Sequence, residues 1–268
     1  MIPKTIHYCW FGKGKKPDIF EKCLKSWKKY APDYEIIEWN EDNFDIDQHH
    51  FARESYDLKK YAFVSDIMRF QVLYEHGGIY LDTDVELLAP LDEFLKDDCF
   101  FFFQNVVNVA TGLGFGAAPK HPVIQMLLRE YDSRHFTLDG MSSVVSPGMN
   151  TATIKQFIPS LKVNNTTQLI NGVHVYSSQV YDRHAVHHDQ FSWKTEEHHQ
   201  ALRYARKKRP NRAVREFLRS PKIFDWFDAR GLVKAKKAYL FAVYDFIEYG
   251  PIYWGYRVIQ KIRKKVKR

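Results

Sequence analysis

Alternating, helical and unbroken apolar patterns follow one another along the first hundred residues of this chain. Ile2 to Trp10 reads as a first strand, Ile6-His7-Tyr8-Cys9-Trp10, and it ends in a lysine- and glycine-rich loop, Phe11-Gly12-Lys13-Gly14-Lys15-Lys16-Pro17. From 18 to 30 the apolar positions Ile19, Phe20, Cys23, Leu24 and Trp27 recur at helical spacing, and Pro32 stops the pattern. Tyr34-Glu35-Ile36-Ile37-Glu38-Trp39 alternates as a strand does. A long helix is predicted over 58–76, with Ala62, Phe63, Ile67, Phe70, Leu73 and Tyr74 on its apolar side and Gly77-Gly78 as its stop. Ile79-Tyr80-Leu81 and Phe100 to Phe103 are short apolar runs that read as buried strands. Strands alternating with helices imply an open α/β sheet, and such sheets bind ligands outside the carboxyl ends of their strands.

The carboxyl end of Ile79-Tyr80-Leu81 carries Asp82-Thr83-Asp84. Two carboxylates one residue apart need a counter-charge. A divalent cation with oxygen ligands supplies it, and such cations commonly bridge to phosphate. Asp-x-Asp at a strand end therefore suggests a metal–diphosphate site, the plain alternative being a solvated turn. Asp66 and Arg69, spaced i and i+3, share one face of the predicted helix, either at the site or as a surface ion pair. Gly112-Leu113-Gly114-Phe115-Gly116 resembles a dinucleotide fingerprint only superficially. Its third spaced glycine is missing, and no helix pattern clearly follows.

Four segments in order resemble glycosyltransferase family 32, the DXD-containing transferases related to fungal α-mannosyltransferases and bacterial capsule sugar transferases. They are Ile2-Pro3-Lys4-Thr5-Ile6-His7 with Trp10 and Gly12; Lys60 to Arg69, containing Ser65-Asp66; Gly77 to Asp84; and His187-His188 followed by Ser192-Trp193. The resemblance covers roughly 1–195, and the Trp, Ser-Asp-x-x-Arg, Asp-x-Asp and Ser-Trp elements also occur in the much larger clostridial glucosylating toxins. It implies a GT-A fold, a Rossmann-like open mixed sheet, and transfer of a hexose from a nucleotide-sugar with retention. A UDP-sugar is favoured as donor, and Mn²⁺ or Mg²⁺ as cofactor. Retention by front-face attack or through a protein nucleophile both stay open, and no residue stands out as that nucleophile.

The resemblance also implies roles. Asp66, Arg69, Asp82 and Asp84 are the catalytic set. Trp10, Asp66, Arg69, Tyr80, Asp82, Thr83, Asn105, Ser192 and Trp193 bind the donor, with the Trp10 indole on the base and Asp66 accepting from sugar or ribose hydroxyls. Arg69 offers its fork to the sugar or the diphosphate. Asp84 is the direct metal ligand. Asp82 binds the ribose, or the metal through water. His188 is the third metal ligand, by its distance to Ser192-Trp193, with His187 as the fallback. Phe191 stands where the family usually has a small residue. The glycine-rich 112–116 region would line the donor sugar, and Ser146-Pro147-Gly148-Met149-Asn150 reads as a loop facing the acceptor.

Composition divides the chain. Its 268 residues are 45% hydrophobic and 16% aromatic, enough for one large domain and an appendage. Residues 200–268 hold 20 Lys+Arg against 5 Asp+Glu, the other 199 hold 20 against 27, and the net charge is +8. We therefore expect a catalytic domain over 1–200 and a basic, largely helical extension over 201–268. Its aromatic segments, such as Ala238 to Ile247 and Ile252 to Tyr256, lie between basic clusters and suit an anionic membrane surface. Nucleic acid explains the charge equally well but the aromatics less well, so none is expected as a partner. Three widely spaced cysteines fit a reducing cytoplasm, no apolar leader or spanning run is read, and with the basic extension the expected location is peripheral on the inner membrane face. The expected acceptor is a glycan, lipid-linked, in surface or capsular polysaccharide synthesis. The rival reading is a non-catalytic membrane- or nucleic-acid-binding module on an α/β scaffold. An aspartate-based phosphatase is excluded by Glu86, where that chemistry expects Thr or Val.

Overall fold

Strand β1 (Thr5–Cys9) pairs in parallel with β2 (Glu35–Trp39) on one side and with β3 (Gly78–Tyr80) on the other. The computed structural model describes residues 1–105, 108–139 and 146–188, which all fall in one compact unit, Met1–Gln190. Ser192, Trp193 and the basic extension lie outside the described residues, as does the expected boundary at 200.

Beyond β3 the sheet turns mixed. Strand β6 (Phe115–Ala117) runs antiparallel to β3 and to β5 (Cys99–Phe102). Strand β8 (Val173–Tyr176) is parallel to β5, and β7 (Gln168–Ile170) closes the edge antiparallel to it. The order is β2-β1-β3-β6-β5-β8-β7. This is the open mixed α/β sheet that the alternation of strands and helices predicts. A separate two-stranded ribbon joins β4 (Val85–Leu87) to β9 (Ala185–His187).

Helix α1 (Asp18–Tyr30) follows its predicted bounds and buries Phe20, Cys23 and Trp27 in the main core. Asp18 and Glu21 in its first turn and Lys28 and Lys29 in its last complement the helix dipole. Its Trp27 donates from Nε1 to the Val85 carbonyl at 2.7 Å, so the helix carries β4.

The long helix predicted over 58–76 begins later. A separate helix α2 (His50–Asp57) precedes it, Lys59 takes a φ of 56°, and α3 spans Tyr61–His76. Leu58-Lys59-Lys60 is a turn that helical spacing cannot distinguish from a further helical turn. Helix α3 is buried nearly all round, through Phe63, Val64, Ile67, Met68, Phe70, Val72 and Leu73. Gly77 ends it with φ 67°, and its N–H caps the Leu73 carbonyl at 3.0 Å. Gly78 follows at φ 98°, where an added Cβ would meet the Thr5 carbonyl oxygen at 2.8 Å. The glycine pair is thus required both for the turn and for the close approach of β3 to β1.

The described chain is completed by α4 (Pro122–Arg129), α5 (Ser146–Phe157) and α6 (Ser178–His184). Ser146-Pro147-Gly148-Met149-Asn150, read as a loop, is the start of α5. A Pro in the first turn has no N–H to lose, and this outweighs the glycine after it.

Candidate active site

Leu81 continues β3 by donating its N–H to the His7 carbonyl at 3.0 Å, and the Val85 N–H then returns to the Asp82 carbonyl, also at 3.0 Å. Asp82-Thr83-Asp84-Val85 is therefore a tight turn at the carboxyl end of the sheet's parallel half. It sets Asp82 and Asp84 side by side, with Thr83 half-buried between them.

Helix α3 supplies the counter-charge from below. Arg69 Nη2 lies 3.1 Å from Asp66 Oδ1 and 3.3 Å from Asp82 Oδ1. Its Nη1 donates to Thr111 Oγ1 at 3.2 Å, and its Nε donates to the Ser65 carbonyl at 3.1 Å. The guanidinium carbon sits 4.8 Å over the Tyr80 ring. Asp66 and Arg69 are 7% and 4% exposed, so the pair is no surface ion pair. Arg69 first ties two carboxylates together.

Burial raises the Asp66 pKa to about 6, against the pull of Arg69. Asp82 is raised as well, by burial and then by Asp84, while Arg69, His187 and the Tyr80 hydroxyl lower it. Burial alone would lower Arg69, but Asp82, Tyr80 and Asp66 hold its pKa above the ordinary value.

The two oxygens of Asp82 divide their work. Oδ1 accepts from the Tyr80 hydroxyl at 2.9 Å, and that hydroxyl lies 3.3 Å from Cys9 Sγ. Oδ2 faces Gly112, where an added Cβ would sit 2.6 Å away. The glycine-rich region thus packs directly against the Asp-x-Asp turn, and a single 3-10 turn over Thr111–Leu113 leads into β6.

Asp82, Asp84 and His187 can bring one ligand atom each within 4.8 Å of one another. His187 Nε2 lies 3.1 Å from Asp84 Oδ1. Two carboxylates and an imidazole are a donor set that can hold a divalent cation. Of the two histidines expected as third ligand, His188 with His187 as the fallback, His187 is the one gathered with the aspartates, and His188 Nε2 lies 2.9 Å from Glu86 Oε2. Neighbours on an extended strand point to opposite faces. Strand β9 pairs His187 with Val85, and the His187 side chain reaches Asp84 while that of His188 reaches Glu86.

Two further expected residues, Trp10 and Asn105, are held by local hydrogen bonds. Trp10 follows β1 at the same end of the sheet. It is half-buried, its N–H bonds to the Trp39 carbonyl, and its indole Nε1 donates to the Gly14 carbonyl at 2.7 Å. Asn105 is 1% exposed after β5, where its Oδ1 accepts from the Asn108 N–H at 2.9 Å.

Three participants escaped the sequence reading. Thr111 receives Arg69 Nη1 and also Asn150 Nδ2, the latter at 3.0 Å. Asn150 is 1% exposed, and its Oδ1 is buried with no hydrogen-bond partner among the described residues. Cys9 is the third. Asn150 ends the segment that the sequence suggests as a loop facing the acceptor, and the structure joins it through Thr111 to the Arg69 network. Only a register linking 66, 69, 111 and 150 could have revealed this.

Comparison with known proteins agrees. Residues 17–101 match the glycosyltransferase sugar-binding region containing a DXD motif. The chain is similar to an uncharacterized glycosyltransferase of Acanthamoeba polyphaga mimivirus, 27% identical over 68% of this chain and 76% of the relative. It is similar to inositol phosphoceramide mannosyltransferase 2 of Schizosaccharomyces pombe, 27% identical over 55% of this chain, and it spans only 44% of that protein. Among solved structures the PaToxG glycosyltransferase aligns with a TM-score of 0.47 at 18% identity, over 68% of this chain and 76% of that one. Residues 17–101, which include Asp82 and Asp84, are thus similar to the DXD-containing sugar-binding region of glycosyltransferases.

Proposed function

We propose that the chain is a metal-dependent hexosyltransferase that takes its sugar from a nucleotide-sugar and passes it, with retention, to a glycan or lipid-linked glycan. The observation that carries the reading is the convergence of Asp82, Asp84 and His187 beside the Arg69-bridged pair of Asp66 and Asp82. A divalent cation held by Asp82, Asp84 and His187 would offset the charge of the departing nucleoside diphosphate.

Everything else in the mechanism falls to the chain's own groups. Tyr80 and Arg69 fix Asp82 through Oδ1, and its Oδ2 lies beside Gly112. Asp66, held by Arg69, is an acceptor for a sugar or ribose hydroxyl. The unpartnered Oδ1 of Asn150 is a second acceptor, since a buried carbonyl oxygen is costly until a donor reaches it. The indole of Trp10, at the end of β1, is the platform for the base. Burial of Asp66 and Arg69 excludes water and strengthens each of these contacts.

The relatives' names point to mannose and to a phosphoinositol lipid. A lipid-borne acceptor accords with the basic, aromatic-rich extension. We place that extension on an anionic membrane surface and the protein on the inner face of the membrane. Among the described residues no helix is long and apolar enough to cross a membrane.

Isothermal titration with UDP and GDP, with and without Mn²⁺, tests the reading beside an Asp84→Ala variant. Mn²⁺-dependent binding of one nucleotide, lost in the variant, is the expected result and names the base. Folded protein that binds neither nucleotide would overturn it.

A further inference from the structure

We infer that Glu86 and His188 are positioning residues that dock β9 onto β4 and so hold His187 at the site. The inference rests on the metal-binding reading of Asp82, Asp84 and His187. Both strands of this ribbon have three residues, and the ribbon stands apart from the seven-stranded sheet. A two-stranded ribbon of that length has little stability of its own.

Its two strands are held very differently. Strand β4 is anchored in the core: Val85 and Leu87 are 0% and 1% exposed. Trp27 of α1 binds the Val85 carbonyl, and the Leu87 N–H donates to Ser26 Oγ at 2.8 Å. Strand β9 buries Ala185 but leaves Val186 38% exposed. Its backbone bonds run to β4 and its flanks, including His188 N–H to the Asp84 carbonyl at 2.9 Å and Leu88 N–H to the His184 carbonyl at 2.7 Å. The side-chain tie at the end nearest the site is His188 Nε2 to Glu86 Oε2, at 2.9 Å. Lys22 of α1 reaches the same oxygen at 2.7 Å. Lys22 is 58% exposed at its side chain and adds little by itself.

Each side of the ribbon thus carries one ligand and one tie: Asp84 just before β4 with Glu86 within it, and His187 at the end of β9 with His188 just after it. Fixing the His188 ring fixes the twist of β9, and with it the side on which His187 emerges. Outer partners that orient a ligand in this way are worth 10- to 100-fold in metal affinity.

The experiment compares wild type, Glu86→Ala, Glu86→Gln and His187→Ala. Free Mn²⁺ is titrated by electron paramagnetic resonance, and amide exchange at 185–188 is followed in metal-free protein. Expected in Glu86→Ala is a loss of roughly ten-fold in Mn²⁺ affinity, with faster exchange confined to 185–188. Glu86→Gln should recover most of both, because its carboxamide oxygen still accepts from His188. Wild-type affinity in Glu86→Ala, with affinity lost in His187→Ala, would overturn the tie and leave the metal reading standing. Absence of Mn²⁺ binding in wild type would remove the metal reading. Unchanged exchange at 185–188 in Glu86→Ala would overturn the docking itself, whatever the metal does.

Discussion

Arg69 decides the electrostatics of the site, because it is the cation between the buried carboxylate of Asp66 and the half-buried one of Asp82. Removing it strands Asp66 and Asp82 with their charges unmet. Arg69→Met should therefore cost about 3–5 kcal/mol in urea unfolding at neutral pH, a loss far above that of any surface ion pair. Gly112 acts by having no side chain. A Cβ there would press on Asp82 Oδ2. Gly112→Ala should keep the fold yet weaken Mn²⁺-dependent nucleotide binding on the order of ten-fold, which calorimetry beside thermal melting separates. Asp66, Arg69, Asp82 and Asp84 were legible because each pair is local: i and i+3 on a helix, i and i+2 at a strand end. Thr111 and Asn150 were not. They join the network through 42- and 39-residue separations that no local pattern encodes.

Strand β1 shows how an element is held in place by one neutral ring. His7 is 1% exposed. Its Nδ1 accepts from Trp39 Nε1 at 3.1 Å, and its Nε2 donates to the Gly77 carbonyl at 3.0 Å. This joins β1 to β2 and to the end of α3. A second proton would have to sit on Nδ1, facing the indole N–H. Burial accordingly lowers the His7 pKa to about 4 from 6.5, with His76 adding to the effect and the Gly77 bond opposing it. The unfolded chain takes up its proton near 6.5 and the folded one near 4, so the stabilising term is complete above 6.5 and is lost as pH falls toward 4. The stability difference between pH 7.5 and pH 5 should contain about 2 kcal/mol from this group. Urea midpoints of wild type and His7→Gln at the two pH values would reveal it as a reduced pH slope in the variant. Helix α1 offers a second check at this scale. Trp27→Phe keeps most of the buried ring but leaves the Val85 carbonyl without its donor. It should cost about 1–3 kcal/mol and weaken Mn²⁺ binding, because β4 carries Asp84 at its head. Single elements were read well where one period dominates, as in α1. They were misread where a turn imitates a helix, as at Leu58-Lys59-Lys60, or where a glycine hides a helix start, as at Gly148.

At the scale of the whole molecule, charge is divided between an acidic first part and a basic extension. If the extension meets an anionic membrane, the full chain should cosediment with vesicles containing phosphatidylglycerol and not with purely zwitterionic ones. The binding should fall steeply between 0.05 and 0.5 M salt, on the order of the screening change expected for clustered lysines and arginines. Equal binding to both vesicle types would remove the membrane from the proposal. The sequence by itself determined the α/β class, the Asp-x-Asp turn at a strand end, the Asp66–Arg69 face and the charge division. All of these are written in spacing, period or composition. Only the tertiary structure decided which histidine faces the aspartates, which side chains complete the Arg69 network, and that β6 enters the sheet antiparallel beside β3. The physical reason is common to all three. The choice between adjacent residues of a strand, or between distant partners of one guanidinium, depends on the register in which remote segments pair. Register is set by packing the whole sheet at once.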